Sequence, residues 1–414
     1  MGLKTVAMVN QLSISEVFNM VLLATGLQHR ILSQTLADRR SMLHVLDPTR
    51  IVAQSISSKN PIIVITVNYR LNVFAFGDWN CMKNLALRDQ RLAIEWVVRN
   101  IDEFNGDPGK LTLAGESAGA VYVHAHTFLD APVQSAILAS GSLFLSPPAA
   151  TETANHMVKR LSEAAWKIAK VSLRDAPVAV LIQALSDCNI TSMFLQSEPG
   201  LEDWKTRDEN VSRLMIGDVE YESILWREGI EMMAADDIVG CFSQEHHHGA
   251  KLMELYRINP SRPTQTKIGA LDFINDVCFA LPVEMIAQRW KARKGEVYRY
   301  VFDQPNPWQP SSRAHHAVDL LYLFGGIDIS SDSFSESVGV AFRQNWIDFA
   351  SGQSPWPTAT RFAFGPHGKC AILHERDFNV RRRVACFQGL IDAEEGSYRP
   401  ILGRLAAGRL SLLN

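Results

Sequence analysis

The pentapeptide Gly115-Glu116-Ser117-Ala118-Gly119 sets a serine between two glycines in the pattern GxSxG. In that pattern a strained strand-to-helix turn lifts the hydroxyl out of a sheet, and the flanking glycines let the turn pass close to its neighbours. A serine hydroxyl is a weak nucleophile near neutral pH. A base with a pKa near 6.5 has to take its proton and later return it to the leaving alcohol. A carboxylate on the far ring nitrogen of that base would fix its tautomer and stabilise the imidazolium. The tetrahedral intermediate also needs preorganised donors, one of them the backbone N–H just after the serine, which here belongs to Ala118. Alone the pattern is weak, since with Gly at about 7% and Ser similar roughly one chain in ten of this length carries it by chance. Context has to decide.

The elements around the serine supply that context. Leu111 to Ala114 is a short apolar strand that breaks at Gly115, and Ala118 to Leu129 resumes with helix formers. Upstream, Pro61 to Tyr69 is a β-branched run bounded by Pro and Asn, the pattern of a strand buried on both faces of a parallel sheet. From Asn84 to Phe104, Leu85, Leu92, Trp96, Ile101 and Phe104 recur at helical spacing, and Asn105-Gly106-Asp107-Pro108 supplies the stop. Ser135 to Ser140 reads as a further strand, so βαβ units and an α/β class follow. Beyond Ser142 come a turn at Ser146-Pro147-Pro148, helical stretches near 155–185 and a strand candidate at Arg213 to Ile216, with insertions long enough for a lid. A strand at Val297 to Phe302, a Pro- and Ser-rich loop at Gln304 to Ser312 and a helix over Ser335 to Ala350 carry the sheet toward the C-terminus.

Composition narrows the function classes. The 414 residues suit one large domain or two, and no internal repeat divides them. A net charge of -3 leaves no electrostatic footprint for nucleic acid or an anionic membrane. Apolar runs such as Ile62 to Val67 fall far short of the roughly 18 residues of a membrane helix. Met20 to Ala24 is preceded by Ser13, Ser15, Glu16 and Asn19 rather than by basic residues, so the chain as written reads as cytoplasmic, and as secreted only if the true N-terminus is missing. Cys81, Cys188, Cys241, Cys278, Cys370 and Cys386 have neither zinc spacing nor a dense disulfide pattern, and most are expected as buried thiols.

Asn68-Tyr69-Arg70-Leu71, Asn84-Leu85, Asp89-Gln90, Trp96-Val97, Asn100-Ile101, Phe104, Gly106-Asp107-Pro108 and the GxSxG turn together resemble the type-B carboxylesterase (cholinesterase-like) family. The resemblance covers about residues 46 to 358. It implies an α/β-hydrolase fold: a mostly parallel central sheet flanked by helices, with helical insertions and with Ser, Glu and His in that chain order. Cofactors and metals are not implied, and the substrate would be a small-molecule ester. Which ester is not legible, because acyl and alcohol pockets are built from insertions with no transferable code. Oligomeric state is equally silent.

The resemblance implies Ser117 as nucleophile, Ala118 in the oxyanion hole, and the other two members by register. The family's acid follows a strand in a Gly-x-x-x-Asp-Glu-Gly turn, similar to Gly217-Asp218-Val219-Glu220-Tyr221-Glu222-Ser223, which places it at Glu222. Tyr221 and Ser223 replace the expected Asp and Gly, so Glu220 is a rival. The histidine precedes an acidic residue by three, as in His316-Ala317-Val318-Asp319-Leu320-Leu321-Tyr322-Leu323-Phe324, with His315 as a neighbour. Ser140 is implied as a supporting hydrogen-bonder or else an ordinary strand-end serine.

One family feature is missing. A strand ending in a Gly-Gly-Gly turn normally precedes the segment matching Asp47-Pro48-Thr49, yet upstream of Asp47 only Gly2 and Gly26 occur. Residues 1–45 therefore read as a divergent or mis-assigned segment before a hydrolase domain at 46–414, with Val21 to Gly26 as a poor substitute strand. Two functions follow: a serine ester hydrolase, and a non-catalytic α/β-hydrolase-like binding protein or inactive truncated product. Other features read as structural. His246-His247-His248 is expected as a solvated loop, His124 and His126 as local packing, Arg381-Arg382-Arg383 as a solvated strand edge or turn, and Trp96 and Trp346 as core.

Overall fold

The structure, a computed structural model, describes residues 46–77, 82–190, 195–358 and 360–407, together with the backbone of 20–26. Strands β1 (Met20–Gly26), β2 (Ile62–Val67), β3 (Gly106–Glu116), β4 (Ser135–Ala139), β5 (Arg213–Val219), β6 (Glu296–Phe302), β7 (Arg361–Phe364) and β8 (Cys370–Leu373) form one sheet in the order β2-β1-β3-β4-β5-β6-β7-β8. Neighbours from β3 to β7 are parallel, β8 is antiparallel to β7, and β1 is antiparallel to both β2 and β3. This is the expected mostly parallel α/β sheet.

Strand pleating explains its two cores. Because alternate side chains point to opposite faces, Ile63, Ile65, Leu111, Leu113, Leu138 and Ile216 enter one cluster with Ala120 and Ile94 of the covering helices. Their neighbours Ile62, Val64, Ala114, Ile137, Met215 and Tyr300 enter the other, against Phe342 and Trp346 of the helix Ser333–Ala350. The continuous apolar runs in the sequence are thus strands covered on both sides. A third cluster joins Trp226, Phe279 and helices 235–275 to Phe387, Leu390 and Ile401 of the last helix, Val384–Ala406.

Several sequence expectations need correction here. The helix Leu85–Asn100 is present, but it buries Ala86, Leu87, Gln90, Ile94 and Val97, while Leu92 and Trp96 stay exposed. Leu85 is buried as expected, but the face turned to the sheet is the one carrying Leu87, Ile94 and Val97 rather than Leu92 and Trp96. Trp346 is buried as expected. The basic run is not solvated: Arg382 is fully buried, with Nε donating to Asp218 at 2.5 Å and Nη2 to Asp303 at 2.8 Å, while Arg383 pairs with Asp272 and Asp276 and Arg381 with Asp303. Three arginines therefore fasten the C-terminal segment to the sheet and to helix Pro263–Asn275, where carboxylates distant in sequence wait for them. Cys188, Cys241, Cys278 and Cys386 are buried and Cys370 is half-buried, whereas Cys81 lies outside the described residues. His246 and His247 are exposed, as expected of a solvated loop.

The interior slot between β2 and β3 is filled. Met20–Gly26 occupies it, so the sheet is continuous across the position where the sequence left only a weak substitute. Its polarity is the finding: Met20 pairs with Gly115 and Gly26 with Gly106, so Gly26 lies about 20 Å along the strand from the end that carries Ser117.

Candidate active site

At the C-terminal edge of β3 the chain turns sharply into the helix Ala118–Phe128. Ser117 sits in this turn at φ 55° and ψ -121°, a region that costs an L-residue energy and is held only by its surroundings. Those surroundings are close-packed. A Cβ on Gly115 would stand 2.4 Å from the carbonyl carbon of Gly119, and one on Gly141 would stand 2.3 Å from the Ser117 carbonyl oxygen. Glycine is required at both, and the Ser117 N–H donates to the Ala139 carbonyl at 2.9 Å, locking the turn to β4.

From this turn a chain of hydrogen bonds runs inward. His316 Nε2 lies 2.8 Å from Ser117 Oγ, and His316 Nδ1 lies 2.5 Å from Glu222 Oε2. Glu222 Oε1 accepts the Val219 N–H at 2.8 Å, so both carboxylate oxygens are engaged. Glu222 is fully buried, and Ser117 and His316 nearly so. The loops at the ends of β5 and β6 bring the parts together: Tyr221 N–H donates to the Ala314 carbonyl and His316 N–H to that of Tyr221. Glu220, the rival acid, points elsewhere and pairs with Arg313 at 2.7 Å. His315 turns away too, with Nε2 3.2 Å from Asn306 Nδ2.

Two carboxyl groups that the sequence reading did not promote complete the setting. Glu116 Oε1 lies 3.3 Å from His316 Nε2, and Asp319 is buried at the start of the following helix. Burial pushes the Glu116 carboxyl up to about 8; the His316 ring pulls it back, and Asp319 and Glu222 add to the rise. Burial and then Glu222 likewise carry Asp319 to about 7, against the pull of His316. For His316, burial disfavours the charged ring, but Glu116, the hydrogen bond and charge of Glu222, and Asp319 outweigh it and raise the imidazole to about 9. Glu116 was visible inside the pentapeptide, and Asp319 served only as a register mark. Nothing in the sequence marked Phe279, whose ring centroid lies 5.5 Å from that of His316.

The remaining candidates separate cleanly. Ala118, buried, begins the helix, so its N–H is one of the first-turn amides that have no partner within the helix. Ser140 is buried at φ 50° and its N–H donates to Gly217, but its Oγ has no partner among the described residues, so the implied supporting bond is not formed. His124 and His126 are buried packing groups as expected, bonded to Glu209 and Gln90 respectively.

Beyond the geometry, residues 43–368 match the pattern of the Carboxylesterase family. The chain belongs to that family. Lipase 3 of Yarrowia lipolytica is 28% identical over 379 residues, covering 87% of this chain and 73% of its own length. Para-nitrobenzyl esterase of Bacillus subtilis is 27% identical over 339 residues, 73% of this chain and 68% of that protein. The crystal structure of a Geobacillus stearothermophilus carboxylesterase superposes with a TM-score of 0.64 at 21% identity, over 82% of this chain and 78% of that one. The fold is accordingly the α/β-hydrolase fold. As a carboxylesterase the chain is by class an ester-hydrolysing serine hydrolase acting on small-molecule esters. No helix among its described residues is long and apolar enough to cross a membrane.

Proposed function

We propose that this carboxylesterase cleaves its ester through an acyl-enzyme, with Ser117 as nucleophile, His316 as general base and acid, and Glu222 as the carboxylate that orients the ring. The observation that carries the reading is the unbroken hydrogen-bonded run from Val219 N–H through Glu222 and His316 to Ser117 Oγ. Ser117 Oγ attacks the ester carbonyl as its proton passes to His316 Nε2, and Glu222 holds the Nδ1 proton and the imidazolium charge. The Ala118 N–H donates to the oxyanion that forms on the carbonyl oxygen. His316 then protonates the departing alkoxide, releasing the alcohol. In the second half a water gives its proton to His316 and attacks the acyl carbon, and Ser117 takes that proton back as the acid leaves.

A second reading, a non-catalytic binding protein on the same scaffold, is favoured by one observation. β1 runs opposite to β3, so its glycine end lies at the edge of the sheet remote from Ser117. Labelling with a fluorophosphonate, followed by mass spectrometry of the peptide holding Ser117, separates the two. An adduct on Ser117 together with hydrolysis of a short-chain ester supports the hydrolase, and an unlabelled, folded protein supports the binding module.

A further inference from the structure

Asn275 ends the helix Pro263–Asn275 and directly precedes a π-helical turn, Asp276–Ala280. Such turns interrupt an α-helix at a cost and recur at functional sites. The Asn275 side chain is buried, and its Oδ1 accepts the N–H of Glu222 at 2.8 Å and that of Ser223 at 3.3 Å. Those two amides open the short 3-10 turn Glu222–Trp226, where the first N–H groups have no partner of their own, and Tyr221 just before it gives no side-chain cap. Asn275 is therefore a cap supplied by a different element. Four residues on, Phe279 packs its ring against that of His316. One helical segment thus touches the backbone of the carboxylate residue and the face of the imidazole.

Resting on the hydrolase reading above, we propose that Asn275 is a positioning residue that fixes the direction in which Glu222 presents its carboxylate to His316. The physical route is short. Glu222 has both oxygens engaged, so its side chain can meet Val219 N–H and His316 Nδ1 together only if its backbone stays where Asn275 holds it. An acceptor removed there leaves two buried amides unpaired and frees the turn to tilt. The same turn departs from the family sequence at Tyr221 and Ser223, where Asp and Gly were expected, and its side chains cannot replace Asn275, since the Ser223 Oγ is buried with no partner among the described residues.

The charged and titratable groups around the pair are Glu116 from β3, Glu222 from the turn after β5, and Asp319 and His315 from the segment of His316 itself. Beside Asn275 stand Asp272 and Asp276, both paired with Arg383, and Cys278 on the π-helical turn. The test is the titration of the His316 ring in the full chain, followed by NMR of labelled histidine and assigned with His316→Ala. In Asn275→Leu, which removes the acceptor at similar volume, the midpoint should fall by about half a pH unit, a threefold loss of proton affinity. In Asn275→Asp, which keeps the acceptor and adds a charge, it should rise. Turnover of Asn275→Leu should drop on the order of tenfold in kcat with KM within about twofold, and Asn275→Asp should recover to within about threefold of the parent. A folded Asn275→Leu with an unshifted His316 overturns the proposal. Should that variant not fold, an unshifted or lowered midpoint in Asn275→Asp overturns it instead. The titration needs no turnover, so a wild-type protein that takes no fluorophosphonate sinks the hydrolase reading while the NMR shift still decides the role of Asn275.

Discussion

Gly26 of β1 pairs with Gly106, at the end of β3 farthest from Ser117. A strand that delivered a glycine turn to the oxyanion would have to end beside Gly115, and here Met20 occupies that place. Removing one oxyanion donor costs on the order of 10²–10³ in kcat. The chain should therefore hydrolyse a short-chain ester slower by about that factor than para-nitrobenzyl esterase of Bacillus subtilis assayed alongside it. Gly26→Ala should leave the rate within about twofold, and a large loss in that variant would mean that Gly26 does reach the site.

Ser117→Ala should abolish both the fluorophosphonate adduct and ester hydrolysis, because the strained turn holds a single hydroxyl within 2.8 Å of His316 Nε2. The variant should also be no less stable than the parent, since the residue holds an unfavourable φ in either case. Retained hydrolysis above the uncatalysed rate would remove Ser117 from its assigned role.

The pH profile should lie on the alkaline side of an ordinary histidine. His316 must be neutral to accept the serine proton, and its pKa is raised to about 9 against burial by Glu116, Glu222 and Asp319. The acid limb of kcat/KM should therefore have its midpoint between about 6.5 and 9, higher than the value near 6.5 that the residue type alone suggests. Glu116→Gln removes the foremost of the raising charges where Glu116 is ionised, above about pH 8, and should lower a limb that lies there. The same shift has a stability consequence. A raised imidazole stabilises the fold below about pH 6.5, and that contribution fades as pH climbs through about 9. A limb below 6.5, or one near 9 that ignores Glu116→Gln, would contradict this electrostatic account.

Arg382→Met should destabilise the protein by about 3 kcal/mol or more in denaturant unfolding, because it strips a fully buried cation from Asp218 and Asp303. Arg299 and Arg381 still reach those carboxylates, which limits the loss. Arg376→Met, on the exposed side of the helix Glu375–Arg381, should change stability by less than about 0.5 kcal/mol. Equal effects for the two would mean that the buried network does not fasten the C-terminal helix.

The amino-acid sequence by itself determined the parts of this carboxylesterase whose signals are local. The GxSxG turn announces its own strained geometry, since only glycine fits at Gly115 where the backbone of Gly119 passes. The run of Ile62–Val67 announces a strand covered on both faces, and Ser135–Ala139 a further strand. The family register around Glu222 and His316 pointed to residues that prove to be neighbours. What only the tertiary structure decided is set by encounters between distant segments. Glu222 rather than Glu220 meets His316 where the backbone of Tyr221 is tied to Ala314 and His316, segments far along the chain, and Glu220 pairs instead with Arg313. The direction of β1 is invisible in seven apolar and small residues, because a strand's pattern reads the same from either end and only its partners give it polarity. The buried arginines at 381–383 looked like surface because a charge is normally solvated, and their carboxylates lie on elements more than 75 residues away. The raised pKa of His316 has the same origin: Glu116, Glu222 and Asp319 come from three segments, and burial in one small volume makes them act on a single ring.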